Sequence, residues 1–342
     1  MSQSLVVQAR SLSFIVMSVG NHTQTNRHRL GIDEKKRILK QNEKHWYDQC
    51  QKKSRKWTHM DAKGAIHAGT QLHKQIYYPN RSLPEEVQKP VRPQVVNDDV
   101  VAVLIRKQRG EKKHVIILNM CDATKPMGDL VDGNTTQEQH LCLCSNLHLH
   151  LQQAAQKTIN FYNVHGPDDG KQNAVQPRIV SMINMDVYFC RNPEYEMITG
   201  GPDDPPITVI SAAIPDMKKY FTVTLPANLS GVVETKQVKW RSTDVFSYNH
   251  ALIGHLLSTI EDVAYRISCV NNDRAVDIQN VEVILSAWGC GRGQHEPQTM
   301  AEMFKQHLQS KDREKFPKVT FAITGDPDTN YKIFRSVLHE RP

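Results

Sequence analysis

Val281-Glu282-Val283-Ile284-Leu285-Ser286-Ala287-Trp288-Gly289-Cys290-Gly291-Arg292-Gly293-Gln294-His295-Glu296-Pro297 is the stretch on which the fold turns. Val281–Ala287 is short, largely apolar and β-branched, which suits a strand buried on both faces. Three glycines in five residues then break the chain out of the strand, and a helical pattern over Gln298–Leu308 follows. Strand, turn and helix in succession form the unit of an open α/β sheet, where ligands bind beyond the carboxyl ends of the strands. Glycines allow close backbone approach and aim N–H groups at an anion, and a following helix N-terminus adds positive potential. The turn therefore reads as a diphosphate cradle. It is not the dinucleotide fingerprint, because the glycine spacing differs and no acidic residue follows about 20 positions on at a strand end. Nor does a Gly-Lys-Ser/Thr mark a nucleoside triphosphate loop.

The same alternation runs outward in both directions. Val100–Ile105, Val115–Leu118, Ile179–Phe189, Ile207–Ala213 and Val319–Ile323 read as further strands. Helical patterns fall over Asp33–Trp57, Gln137–Thr158, Tyr248–Val270 and Asn330–Leu338. The helix from Tyr248 carries Leu252, Leu256, Ile260, Val263 and Ile267 at helical spacing. Residues 79–98, rich in proline and polar side chains, read as a surface connection. The expected architecture is an α/β fold with a mixed, largely parallel sheet covered on both faces. Its expected division is an irregular segment over 1–30, a helical extension over 31–98 and one α/β unit over 99–342.

Composition removes other classes. Of 342 residues, 39% are hydrophobic and 23% charged, with no apolar run long enough to span a bilayer. Seven cysteines, odd in number and without a Cys-x-x-Cys, argue for a reducing compartment such as the cytoplasm and against a disulfide scaffold. The net charge of +7 is local, since Asp33–Trp57 holds nine Lys/Arg against four Asp/Glu. With Ile38, Leu39, Trp46 and Cys50 on an apolar stripe, that stretch reads as a helix with a solvated basic face. It gives no reason to expect sequence-specific nucleic-acid binding. His140 and Cys144 would share a helical face, but no second cluster completes a zinc site.

A second loop carries polar chemistry. It runs Asn119-Met120-Cys121-Asp122-Ala123-Thr124-Lys125-Pro126-Met127-Gly128-Asp129-Leu130-Val131-Asp132-Gly133-Asn134-Thr135-Thr136-Gln137-Glu138-Gln139. Asp122, Asp129, Asp132 and Glu138 lie within 17 residues, the last at the mouth of a helix.

At these two loops the sequence resembles the microbial-type poly(ADP-ribose) glycohydrolases, a branch of the macrodomain superfamily. That family's Asn-Phe-Ala-Ser-Ala…Pro-Gly-Gly-Gly and Gln-Glu-Glu correspond to Asn119-Met120-Cys121-Asp122-Ala123…Pro126-Met127-Gly128-Asp129 and Gln137-Glu138-Gln139. Its Gly-Ala-Trp-Gly-Cys-Gly corresponds to Ser286-Ala287-Trp288-Gly289-Cys290-Gly291, with Ser211–Pro215 and Phe321–Ile323 in family order. The resemblance implies a macrodomain-like three-layer α/β/α fold, ADP-ribose bound between the loops, and Glu138 as the group that protonates the glycosidic bond. Backbone of Gly289, Cys290, Gly291, Arg292, Gly293 and Gln294 would then hold the diphosphate, and Asn119, Gly128 and Gln137 would line the distal ribose. Neither a metal nor a cofactor is implied. An aromatic stacking partner for the base is left open among Phe321, Tyr331 and Phe334.

The catalytic stretch departs from that pattern: Gly-Gly-Gly is Met127-Gly128-Asp129, and the last glutamate is Gln139. A family Phe falls at Gly293, and Arg292 is an addition. Carboxylates bind a planar guanidinium as a fork. Asp122, Asp129 and Asp132 around Glu138 are therefore expected to recognise an arginine leaving group, as in an arginine-specific branch that includes an effector acting on ADP-ribosylated ubiquitin. The expectation is a monomeric hydrolase that removes ADP-ribose from arginine on a protein, ubiquitin being a candidate, through these four acids. The alternatives are an ADP-ribose reader without catalysis and a poly(ADP-ribose) glycohydrolase.

Overall fold

Central strands of this chain are apolar on both faces, so each needs a helical layer above and below it. The computed structural model describes residues 29–52, 70–73, 91–122, 125–128, 130, 133–156, 181–198, 207–214, 222–224, 235–237, 242–270, 278–310, 316–325 and 329–339. Along the chain run β1 (Arg29–Leu30), α1 (Ile32–Lys52), β2 (Thr70–His73), β3 (Gln94–Val96), α2 (Val100–Ile105), β4 (His114–Met120) and β5 (Gly133–Asn134). Then come α3 (Gln137–Cys144), α4 (Leu147–Gln156), β6 (Ser181–Val187), β7 (Ile207–Ala212), β8 (Thr222–Thr224) and β9 (Thr235–Gln237). The chain closes with α5 (Ser242–Val270), β10 (Val281–Leu285), α6 (Pro297–Leu308), β11 (Lys318–Ala322) and α7 (Asn330–His339).

Among the described residues seven strands form one sheet in the order β2-β6-β7-β4-β10-β11-β3. From β7 to β3 every pairing is parallel, while β6 runs antiparallel to β7 and β2 antiparallel to β6. Strand alternation sorts the core into two layers. Ile116 and Leu118 of β4, with Val283 and Leu285 of β10, pack against α5, α6 and α7. Val115 and Ile117, with Ile284, pack against α1 to α4 on the other face. The result is the expected three-layer arrangement around a mixed, largely parallel sheet.

Three sequence expectations change. Val100–Ile105 is a helix and not a strand: Asp99 Oδ1 accepts from the amides of Val101 at 2.8 Å and Ala102 at 3.3 Å, and starts α2. A short continuous apolar run has no period to separate the two states, and an N-cap outweighs β-branched propensity. The single helix expected over Gln137–Thr158 is two. Ser145, extended at φ −144°, donates its hydroxyl to Leu141 O and accepts from Leu147 N, which ends α3 and begins α4. Within the connection expected over 79–98, Gln94–Val96 joins the sheet edge beside β11.

The basic helix lies against the core through Ile38 and Trp46, while Lys36, Arg37, Lys40 and Lys44 stand exposed. Cys50, expected on the same stripe, has its side chain outside the described residues. Lys35 Nζ donates to Gln139 Oε1 at 3.2 Å and Asn42 Nδ2 to Leu143 O at 3.0 Å, so α1 and α3 run side by side. Asp99 also reaches His140 Nε2 at 3.1 Å, and His140 Nδ1 meets Tyr195 Oη at 3.0 Å. Asp99→Ala removes a cap and strips a buried imidazole of a partner, so a loss of about 2 kcal/mol is expected in urea unfolding. A loss below about 0.5 kcal/mol would show that this network is incidental to stability.

Candidate active site at the carboxyl edge of the sheet

β4 and β10 are parallel neighbours whose following segments part company. The chain after β4 leads to α3 on one face of the sheet, and the chain after β10 leads to α6 on the other. Diverging loops at adjacent carboxyl ends leave the crevice in which open α/β sheets bind ligands. The described residues of both loops singled out from the sequence lie there.

On the β4 side the first turn of α3 is pinned to the strand. The Thr136 hydroxyl accepts from Gln139 N at 3.3 Å. Gln137 lines up along β4, accepting from Met120 N at 2.9 Å and donating to Leu118 O at 2.8 Å. Both of its amide groups are thus engaged with backbone. Glu138, next along the turn, is driven inward and is only 2% exposed. Its Oε2 accepts from Asp122 N at 2.9 Å, and Asn119 Nδ2 stands 3.5 Å from its Oε1. Burial pushes the Glu138 carboxyl up to about 8, against the pull of these N–H groups and with Asp122 adding repulsion. At neutral pH it therefore holds a proton, at the carboxyl end of β4, beside N–H groups of Asp122, Asn119 and Met127 that can donate to the resulting carboxylate.

Gln139 explains one departure from the glutamate-rich pattern. Its Nε2 donates to Met127 O at 3.1 Å while its Oε1 accepts from buried Lys35. An ionised glutamate could not make the first bond. Met127 and Gly128 both hold positive φ, +61° and +58°, as the loop turns back over Glu138. Asp122 closes that turn, its Oδ1 accepting from Lys125 N at 3.2 Å. A Cβ on Gly128 would come within 3.1 Å of Asp122 Oδ2, so the carboxylate folds against its own loop. Asp129 and Asp132 lie outside the described residues.

The glycine turn after β10 is built for closeness. Gly289 sits at φ +81°, and a Cβ there would meet His295 Cδ2 at 2.7 Å and Ile214 Cδ1 at 2.9 Å. A Cβ on Gly293 would meet Gly289 O at 2.9 Å. His295 N donates to Gly289 O at 3.0 Å and Gln294 N to Gly291 O at 3.1 Å, which closes the turn. The intervening amides of Gly291, Arg292 and Gly293 meet no backbone carbonyl among the described residues. Arg292 and Gln294 are exposed at the tip. The helix that follows does not contribute as expected: Glu296 caps α6 and accepts from Gln298 N and Thr299 N. Its carboxylate already occupies the helix N-terminus, so an anion would rely on the turn's own amides.

Cys290 and His295 do not form a nucleophile pair. Cys290 Sγ points to Trp288 O at 3.6 Å, and burial pushes the thiol up to about 12. His295 Nδ1 faces Asn249 Nδ2, on α5, at 2.9 Å. Iodoacetamide at pH 7.5 is expected to leave Cys290 unmodified in the folded chain over an hour, as read by mass spectrometry. Rapid labelling there would contradict an inert, packed thiol. Among the described residues no cluster of three His, Cys, Asp or Glu side chains could hold a metal ion. His140 has its two nitrogens turned to Asp99 and Tyr195.

Sequence reasoning missed three polar residues around this crevice. Ser211 and Asn184 lie behind Asn119, on β7 and β6, and Asn249 stands behind the glycine turn. A signal existed for Asn249, which falls three residues before Leu252 in the apolar stripe of α5, where a polar side chain must find a buried partner.

Known proteins place the arrangement in context. A family model described as the catalytic domain of microbial-type PARG matches residues 16–182. No curated protein matches the chain. Among solved structures, a mutant of poly(ADP-ribose) glycohydrolase from Deinococcus radiodurans in complex with ADP-ribose aligns with a TM-score of 0.58 at 17% identity. That alignment covers 82% of this chain and 98% of the other. The glycohydrolase from Thermomonospora curvata aligns at 0.57 and 16% identity over 80% of this chain and 88% of that one. The same enzyme bound to the inhibitor ADP-HPD gives 0.56 and 17%, over 80% and 86%. The fold is macrodomain-like, as expected. The expectation of an arginine-specific hydrolase is overturned by the family model, whose description is the catalytic domain of microbial-type PARG. With it goes ubiquitin as a substrate, and Asp122 is turned onto its own loop. No helix among the described residues is long and apolar enough to cross a membrane.

Proposed function

We propose that this chain is a poly(ADP-ribose) glycohydrolase that releases ADP-ribose by cleaving the ribose–ribose bond of the polymer. The observation that carries this reading is Glu138: a carboxyl 2% exposed, pushed up to about 8, held by N–H groups in the crevice between β4 and β10. In this reading an ADP-ribose unit lies across the crevice. Its diphosphate takes the free amides at Gly291, Arg292 and Gly293 on the turn formed by Gly289, Cys290 and Gln294. Its distal ribose lies over the carboxyl end of β4, where Asn119 is buried beneath Glu138. Gly128 leaves room beside it, and Gln137 holds the turn that aims Glu138.

Glu138 gives its proton to the bridging glycosidic oxygen as the C1″–O bond breaks, and the bonding electrons leave with that oxygen. Positive charge develops on the ribose ring in an oxocarbenium-like state, next to the carboxylate just formed. Asn119 Nδ2 and Asp122 N steady that carboxylate. Water adds to C1″ and returns a proton to Glu138, which restores the acid. Asp129 and Asp132 remain candidates for orienting groups on the same loop.

A monomer acting in the cytoplasm on poly(ADP-ribosyl)ated protein belongs to the same proposal. Support comes from Cys121, Cys142, Cys144, Cys190 and Cys290, which are free thiols. The test is release of ADP-ribose from purified poly(ADP-ribose). Steady release by the wild-type chain supports the enzyme. Binding of ADP-ribose without release would leave a reader of the mark.

A further inference from the structure

Three polar side chains stand in a row beneath Glu138, on the sheet face otherwise filled by Val115, Ile117, Met182, Ile207 and Val209. Asn119 follows Ile117 by two on β4, Ser211 follows Val209 by two on β7, and Asn184 follows Met182 by two on β6. Strand alternation puts all three on that face. Asn119 and Ser211 are register partners, and each of the three is fully buried. Asn184 Nδ2 donates to Ser211 Oγ at 3.0 Å, and Asn119 Nδ2 donates to the same oxygen at 3.0 Å.

An apolar face does not need a hydroxyl and two amides, and burying them costs free energy unless each is bonded. The row also does something for its last member. The two ends of an Asn amide differ only in donor and acceptor, so Asn119 could present either one to Glu138. Ser211 Oγ has two lone pairs, and it takes one N–H from Asn184 and one from Asn119. The second N–H is left toward Glu138 Oε1 at 3.5 Å, and Oδ1 is turned the other way. That long contact can tighten once Glu138 carries charge.

We infer that Ser211, backed by Asn184, is a positioning residue that fixes the Asn119 amide with its N–H toward Glu138. The inference rests on Glu138 as the proton donor. Ser211→Ala frees the amide to turn, and the N–H support of the Glu138 carboxylate goes with it. Since that N–H favours the charged form, its loss raises the pH at which Glu138 titrates. Asp122, Cys121 and Cys142, the other ionisable groups acting on or near Glu138, are unchanged by the substitution.

Two readouts on the full chain separate this inference from the reading beneath it. Carbon-13 NMR of the glutamate carboxyls, with Glu138→Gln to assign the resonance, follows the titration whether or not the chain is active. Turnover of poly(ADP-ribose) follows catalysis. For Ser211→Ala we expect an upward-moved Glu138 titration and kcat down by about tenfold to a hundredfold, with KM within about twofold. Ser211→Thr, which keeps the hydroxyl, is expected to restore both. If Ser211→Ala does not fold, Ser211→Cys carries the test, since sulfur is a similar but weak acceptor. A folded variant with lowered melting temperature and an unmoved Glu138 titration would overturn the inference and leave a merely structural row. A wild-type chain that never releases ADP-ribose would overturn the glycohydrolase reading, while the titration still decides the role of Ser211.

Discussion

Glu138→Gln is expected to lower ADP-ribose release by about a hundredfold to ten-thousandfold, the range a positioned general acid supplies. Glutamine keeps the size of the side chain and can still accept from Asp122 N, so ADP-ribose affinity is expected to stay within about threefold of wild type. The pH behaviour follows from the raised carboxyl. Glu138 must be protonated to act, so the rate of the wild-type chain is expected to fall as pH rises through about 8. Stability moves the same way. Unfolded, this group titrates near 4.5, so between about 4.5 and 8 only the unfolded chain has given up the proton, and its contribution to folding is lost across that window. Glutamine has no proton to lose, and the variant should gain melting temperature over wild type at pH 9. A variant that still turns over at the wild-type rate would remove Glu138 from the chemistry.

Gly289→Ala is expected to hit fold and binding together. At φ +81° an L side chain is strained, and the new Cβ would press on His295 Cδ2 and Ile214 Cδ1 at 2.7 and 2.9 Å. Strain plus overpacking predict a loss of about 2 kcal/mol. Displacing the turn is expected to weaken ADP-ribose at least about tenfold, or about 1.4 kcal/mol. Gly291→Ala is the control within the same turn, since a Cβ there meets nothing within 4 Å. It should melt like wild type while still weakening the ligand, because only a diphosphate lying on the amide would meet the added methyl. Calorimetric titration with ADP-ribose beside thermal melting reads both. Affinity unchanged in both variants would place the diphosphate elsewhere.

Much of the molecule was legible because its central strands are buried on both faces and its helices carry one apolar stripe. Val281–Leu285 and Val115–Leu118 lie within β10 and β4, and the stripe from Leu252 lies in α5. What failed was local. Val100–Ile105 has no readable period, and only Asp99 turning its carboxylate onto two amides makes it helical. Ser145 divides α3 from α4 by bonding forward and backward at once, a choice that depends on the backbone around it.

The candidate site divides along the same line. Residue identity alone supplied two polar or glycine-rich loops after strands, with Glu138 at a helix mouth, because chain order and residue type carry that information. Charge counting misled, since a carboxylate's meaning depends on where it points. Asp122 closes its own turn, and Glu296 fills the helix end that was expected to hold an anion. Ser211 and Asn184 lie 92 and 65 residues from Asn119 along the chain, and only sheet pairing sets them side by side. The proton on Glu138 belongs to tertiary structure as well. A carboxyl in water ionises near 4.5, and only packing that removes water, by more than the nearby N–H groups offset, holds it as an acid at neutral pH.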